Sequence, residues 1–170
     1  IGLKDGSLSG VDHKRFKKKI IKFNPAINTK HGLRYLFLGR LNSDKGINDL
    51  IDIIPIHLSK FKDDKFSIVG PCEDEEILNN LINLNQKWPE NILLNGFTNK
   101  PEEFLSDSDI LLLPSRREGF GNTIIEAAAC GIPTISYDIY GVQNSIKKNI
   151  TGLVAKPFCL DDFSSLMQKC

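Results

Sequence analysis

The sequence predicts an α/β domain built on a parallel sheet with helices packed on both faces. Short runs rich in β-branched, leucine and aromatic residues recur at 35–38, 66–69, 92–94, 110–113, 134–136 and 153–155. Amphipathic stretches alternate with them at 47–59, 74–85, 102–106 and 123–130, and a last one follows at 161–169. Strands separated by helices close as right-handed βαβ units, which make neighbouring strands parallel. The 170 residues, 41% of them hydrophobic, suffice for one well-buried domain and are too few for two of ordinary size.

The elements follow from local signals. Residues 1–30 are polar, lysine-rich and weakly patterned, and are expected to be a connecting segment; a Rossmann-like domain is expected over 31–170. Gly39, Gly70 and Pro114 each follow an apolar run, where a strand would turn toward a helix. In the second amphipathic stretch Ile77, Leu78, Leu81, Ile82 and Leu84 share one helical face. The stretch 123–130 is nearly all apolar, as a helix buried on most sides should be, and Gly131 and Pro133 form its stop. There is no internal repeat and no low-complexity segment.

Charge and cysteine usage narrow the class. Twenty-two Lys and Arg against 21 Asp and Glu leave a net charge of +1, which implies neither a nucleic-acid partner nor an acidic one. Cys72, Cys130, Cys159 and Cys170 show no CxxC pairing, so neither a metal site nor a disulfide framework is expected. No apolar run approaches the roughly 18 residues that span a bilayer, and no signal-peptide pattern opens the chain. A reduced, cytoplasmic setting is the expectation. The start at Ile1 without a methionine is what a piece of a longer chain would show.

Ligands of open α/β sheets sit beyond the carboxyl ends of the strands, which directs attention to the loops at 39–46, 70–74, 96–100, 114–122 and 136–145. The richest is Pro114-Ser-Arg-Arg-Glu-Gly-Phe-Gly-Asn122, which runs into the apolar helical stretch. Gly119 and Gly121 allow a ligand close to the backbone, and the amides of Asn122 and Thr123 would head a helix, a favourable place for an anion. Glu126 is the polar exception in that helix, about one turn or 5 Å from its start. A buried carboxylate needs hydrogen-bond donors, and the vicinal hydroxyls of a ribose supply them. A molecule built as ribose, diphosphate and hexose would put ribose by Glu126, phosphate at the helix start and sugar by Glu118. An internal pairing of Glu126 with a core Arg or Lys, with Glu118 merely solvated, fits the same residues. In Gly39-Arg-Leu-Asn-Ser-Asp-Lys-Gly46, Arg40 and Lys45 supply the two cations that a diphosphate needs, unless Arg40 is a surface ion pair and Lys45 is solvated.

At this point the sequence resembles retaining glycosyltransferase family 4, a family of the GT-B fold. Glu118 and Glu126, within Glu-Gly-Phe-Gly-Asn-Thr-Ile-Ile-Glu, are similar to its E-x7-E motif. Arg40 and Lys45 are similar to its Gly-Arg-Leu-x-x-x-Lys-Gly diphosphate clamp. Ser9-Gly10-Val11-Asp12 with Phe16 resembles the segment entering its C-terminal domain. Gly96-Phe97-Thr98, 109–115, Gly131-Ile-Pro133 and Thr151-Gly152-Leu153-Val154 fall in family order, so the resemblance covers residues 9 to about 155.

The resemblance implies the C-terminal, donor-binding half of a GT-B fold. Arg40 and Lys45 would bind the donor diphosphate, Glu126 the ribose hydroxyls, and Glu118 the transferred sugar. Backbone amides of Phe120, Gly121, Asn122 and Thr123 would hold sugar hydroxyls and the distal phosphate, and the Phe97–Thr98 loop would bracket the base. The chemistry implied is retaining and metal-independent, with no cofactor beyond the nucleotide-sugar donor. The acceptor-binding N-terminal domain would lie outside this sequence, the C-terminal end would be cut short, and the piece alone would be inactive. Arg117-Glu-Gly-Phe-Gly-Asn122 and Asp138-Ile-Tyr-Gly-Val142 resemble enzymes that extend lipid-linked oligosaccharides of capsule, O-antigen or glycoprotein pathways, many of them using UDP-N-acetylhexosamines. Asn144-Ser145 departs from those relatives, which carry an acidic residue there.

Two other functions fit parts of the pattern. A UDP-sugar epimerase of the same fold would need acid/base groups around the sugar, where only Glu118 is well placed. A non-catalytic nucleotide- or partner-binding module would lack the G-x-G-x-x-G fingerprint and leave Glu126 unexplained. Asp107-Ser108-Asp109 reads as D-x-D but precedes a strand, the wrong end for a metal-nucleotide site. The run Lys14, Arg15, Lys17, Lys18, Lys19 and Lys22, with Phe16 and Phe23, is either a solvated face or a contact with the inner face of the cell membrane. His13, His31 and His57 share no metal-ligand spacing, and Trp88 reads as a packing anchor.

Overall fold

The computed structural model describes residues 10–17 and 32–170. The elements run β1 (Arg34–Leu38), a 3-10 turn (Ser43–Lys45), α1 (Ile47–Lys60), β2 (Lys65–Val69), α2 (Glu75–Lys87), β3 (Ile92–Asn95), α3 (Pro101–Ser106), β4 (Ile110–Leu113), α4 (Asn122–Ala129), β5 (Thr134–Tyr137), β6 (Gly152–Ala155) and α5 (Leu160–Met167). The strands form one parallel sheet in the order β3-β2-β1-β4-β5-β6. From β1 the chain steps outward to β3, then returns to the other side of β1 as β4. The loops leaving β1 and β4 therefore diverge, and the crevice between them is where doubly wound sheets bind ligands.

Composition explains the layering. All four residues of β4 are buried, the continuous apolar run of a central parallel strand covered on both faces. On one face α1 contributes Ile47, Leu50, Ile53, Ile54 and Leu58, a stripe at helical spacing, and packs with α2 and α5 over Tyr35, Phe37, Phe66 and Ile68. On the other face Leu36, Val69 and Leu111 meet Leu105 of α3 and Ala127 of α4. Asp74 caps α2, its carboxylate accepting from the Glu76 and Ile77 amides at 3.0 and 3.1 Å. Phe163 of α5 is fully buried, and the Tyr35 hydroxyl donates to the carbonyl of Met167 at 3.2 Å.

Several expectations change in detail. The turn at Ser43–Lys45 was not anticipated; the Asn42 side chain caps it by accepting from the Lys45 amide at 3.0 Å. Helix α4 is not buried on most sides: Ile124 and Ala127 are buried, but Ala128 is exposed. Its alanines made an amphipathic helix look uniformly apolar. Phe16 points inward at 6% exposure, so it is unavailable to a membrane surface. Asp109 sits at the amino end of β4, where its carboxylate accepts from the Arg34 amide at 2.9 Å. His57 is buried against Asp64, Nε2 to Oδ2 2.7 Å, and Trp88 packs against the main core. Ser9, Phe23, His31 and the lysines at 18, 19 and 22 lie outside the described residues. Among the described residues no helix is long and apolar enough to cross a membrane.

Replacing Phe163 by alanine should lower unfolding free energy by about 3–5 kcal/mol, the usual result of emptying a buried aromatic position. Urea denaturation measures it, and a loss under about 1 kcal/mol would mean that α5 does not complete the core.

Candidate functional site

The site begins where two loops touch. Gly46, between the 3-10 turn and α1, has φ of 74°, and a Cβ there would lie 1.9 Å from the Pro114 carbonyl oxygen. Only glycine permits that backbone approach. The Arg116 amide then donates to the Asp44 carbonyl at 2.8 Å, stitching the β1 loop to the β4 loop. As a result Lys45 Nζ reaches Glu118 Oε1 at 2.7 Å, and Ser115 Oγ donates to the same oxygen at 2.7 Å. The Glu118 side chain is 9% exposed and the Lys45 side chain 24%. The sequence reading assigned these two residues to different parts of a ligand; the fold puts them in direct contact.

Around this pair lies a cavity of about 570 Å³ lined by Arg40, Lys45, Arg116, Arg117, Glu118 and Tyr140, among others. Arg40 also borders an adjoining groove of about 290 Å³ with Asn42, Pro71 and Asp74. Its guanidinium makes no hydrogen bond or ion pair with the described residues, although its carbonyl accepts from the Asn42 amide at 3.1 Å. Four cationic side chains face the cavity against the two carboxylates of Asp44 and Glu118, so an anion is favoured.

A buried acid supports this wall from below. Asp49, in the first turn of α1 and 6% exposed, accepts from Arg116 Nη2 and from the Tyr137 hydroxyl, each at 2.7 Å. The Arg116 guanidinium also lies 5.3 Å from the centroid of the Phe158 ring. Burial, with the hydrogen bond to Asp49, pushes the Tyr137 phenol well above its ordinary value, so it stays a donor. Asp49 and Tyr137 lie outside every motif taken from the sequence, while Arg116, Arg117 and Tyr140 fall within quoted segments but receive no role there. Asp49 carries a legible signal, an acid beside the apolar stripe of an amphipathic helix; Tyr137 carries none.

The loop after β5 closes the far side. Gly141 has φ of 94°, and a Cβ there would fall 2.1 Å from the Glu118 carbonyl oxygen. Ser145 Oγ donates to the carbonyls of Phe120 and Gly141. One of the two residues at which this sequence departs from the resembled enzymes, Ser145, thus ties the β5 loop to the β4 loop. Gly121, with φ of 69°, caps α4, and its carbonyl accepts from the Ile124 amide at 2.8 Å in the first turn. Phe120 and Thr123 are half-buried there, and Asn122 is exposed.

Glu126, Phe97 and Thr98 are not among the residues lining the large cavity. Phe97 is 77% exposed on the loop after β3, and Thr98 Oγ1 accepts from the Lys100 amide at 3.0 Å. Glu126 is half-buried and its carboxylate makes no hydrogen bond or ion pair with the described residues, so the internal pairing left open by the sequence is not seen among them. Burial pushes its carboxyl upward; Arg15 opposes that shift and Glu102 adds to it. The folded chain therefore holds the Glu126 proton more tightly than the unfolded one. The penalty is absent below the ordinary carboxyl value of 4.5 and grows as pH rises through the folded-state value. Glu126→Gln should raise the melting temperature at neutral pH, and the gain should fade in acid. A lower melting temperature at neutral pH would show that the carboxylate is already satisfied.

Residues 17–170 match the family described as Glycosyl transferases group 1. Over 168 residues the chain is 28% identical to the capsular polysaccharide biosynthesis glycosyltransferase CapM of Staphylococcus aureus, covering 96% of this chain and 43% of that one. The crystal structure of Anabaena HepE in complex with UDP and glucose superposes with a TM-score of 0.78 at 18% identity, over 95% of this chain and 45% of that one, a likeness of fold. A structure of S. aureus TarM in complex with Fondaparinux, alpha-GlcNAc-glycerol and UDP gives 0.72 at 25% identity, over 83% of this chain and 29% of that one. The chain spans less than half the length of each of these proteins. With the family match running through every element of a doubly wound sheet, the chain belongs to the group 1 glycosyl transferases.

Proposed function

We propose that the chain is the donor-binding domain of a retaining glycosyltransferase of family 4. It takes a hexose or N-acetylhexosamine from a nucleotide diphosphate sugar, with UDP as the nucleotide, and the whole protein passes it to a growing surface polysaccharide or oligosaccharide. The observation that supports this best is the cationic cavity at the β1/β4 switch point, with Glu118 in its wall. Breaking the sugar–phosphate bond leaves its electron pair on the diphosphate. Arg40 and Lys45, with the neighbouring arginines, stabilise that charge where it develops. Glu118, oriented by Lys45 and Ser115, accepts from a hydroxyl of the transferred sugar.

Glu126 accepts from the ribose hydroxyls, which relieves a half-buried acid that finds no side-chain donor among the described residues. The amides at the start of α4 hold the distal phosphate and sugar oxygens, and the Phe97–Thr98 loop brackets the base. In this reading electrostatics do the work without a metal, and a second domain supplies the acceptor and closes the cleft. The polysaccharide product rests on what CapM is named for and on the TarM complex. A lipid-linked acceptor would place the reaction on the cytoplasmic side of the cell membrane.

Calorimetric titration with UDP tests the reading. Binding should be weak, and Lys45→Ala and Glu126→Ala should each weaken it about tenfold or more, the effect of losing one charge-assisted contact. Unchanged affinity in both variants would remove the site assignment. No heat at roughly millimolar UDP would remove the nucleotide itself.

A further inference from the structure

Residues 10–17 form a turn held across two helices. The Asp12 carbonyl accepts from the amides of Arg15 and Phe16 at 3.0 and 2.8 Å, and the Asp12 carboxylate accepts from the Lys14 amide at 2.9 Å. Phe16 anchors the turn by packing with Leu105 of α3 and with Ala127 and Cys130 at the end of α4. Arg15 is thereby delivered to the junction of α3, α4 and the loop after β3, with its guanidinium 5.4 Å from the Phe16 ring centroid. Its Nε and Nη2 both lie 2.8 Å from Glu102 Oε2, in the first turn of α3. Nη2 also donates to the Asn99 carbonyl. Asn99 follows Phe97 and Thr98 directly, and among the described residues the Arg15 charge acts on Glu126 to favour its ionised form.

We propose that Arg15 is a positioning residue for the nucleoside half of the donor, fixing the Phe97–Thr98 loop through the Asn99 carbonyl and directing a positive charge toward Glu126. The inference rests on the donor-binding reading above, and it assigns Arg15 to base and ribose, not to the diphosphate. Its side chain is 41% exposed, and an ion pair that open contributes little to stability. A change at Arg15 should therefore act on the loop and on Glu126 while leaving the fold intact.

The charges facing Glu126 define the pH behaviour. Arg15 approaches from the 10–17 turn and Glu102 from α3, while Cys130, one turn further along, is a thiol that burial keeps neutral and adds no charge. Burial favours the protonated acid, Glu102 adds to that preference, and Arg15 opposes it. Ribose hydroxyls donate more strongly to the ionised form than to the neutral acid, so nucleoside binding weakens as pH falls through the carboxyl's value. Removing Arg15 should move that acid limb to higher pH, and removing the Glu102 charge should move it lower.

The test titrates the chain with uridine, UDP and inorganic pyrophosphate across a pH series, comparing wild type with Arg15→Gln, Arg15→Lys and Glu102→Gln. Arg15→Gln should weaken uridine and UDP about three- to tenfold, the loss expected from one hydrogen bond and a nearby charge, and leave pyrophosphate unchanged. Its acid limb should move up, Arg15→Lys should return the limb toward wild type, and Glu102→Gln should move it down. Uridine binding unaffected by Arg15→Gln would overturn the proposal. So would an equal loss for all three probes with a lowered melting temperature, which would mark Arg15 as a structural strut. Wild type binding no UDP would overturn the donor reading and this inference with it, whereas normal UDP binding by every Arg15 variant would overturn this inference alone.

Discussion

The contact between the Gly46 and Pro114 backbones organises the carboxyl end of the sheet. Strands β1 and β4 are neighbours, but their helices leave in opposite directions, and divergence alone would leave their loops apart. A glycine with positive φ removes the side chain that would separate them. The Arg116 amide bond to Asp44 and the Asp49–Arg116 ion pair then lock the two loops into one body. Lys45 and Glu118, 73 residues apart in sequence, share an oxygen contact because the backbones beneath them already touch.

Two acids, one buried and one half-buried, occupy different regimes. Asp49 is more buried than Glu126 but has a guanidinium and a phenol as donors, so its charge is compensated and its network rigid. Glu126 is less buried and lacks donors among the described residues. Apolar neighbours make both positions costly for a carboxylate. The first resolves the cost within the fold. The second leaves it standing, and sites that bind ligands characteristically retain such local conflicts.

The layers were legible in the sequence because each element obeys its own period. The four apolar residues of β4 and the stripe of α1 announce a central strand and a core-facing helix without tertiary information. The loops were harder. Arg40, Lys45, Glu118 and Glu126 stood out as charged residues beside glycines or apolar runs, yet nothing in their spacing foretold that Lys45 would pair with Glu118. That pairing depends on strand order, which the sequence does not encode locally. Helix α4 misled for a related reason, since alanine is apolar in composition but small enough to face solvent at Ala128. Tyr137 was indistinguishable from any other strand aromatic until Asp49 came to lie beneath it.

The crossover from β5 to β6 carries no helix, and its two ends are held unequally. Gly141 lies flush on the Glu118 backbone and Ser145 is tethered to Phe120, while Ile150 further along is 78% exposed. Added residues before Ser145 would pry the floor of the cavity apart. Beyond it, residues 147–151 close a turn of their own, the Lys147 carbonyl accepting from the Ile150 and Thr151 amides at 3.0 and 2.9 Å while Lys148 pairs with Asp138. Length variation in this crossover is therefore best absorbed at the exposed tip of that turn, which reshapes the rim while the chamber behind it keeps its dimensions.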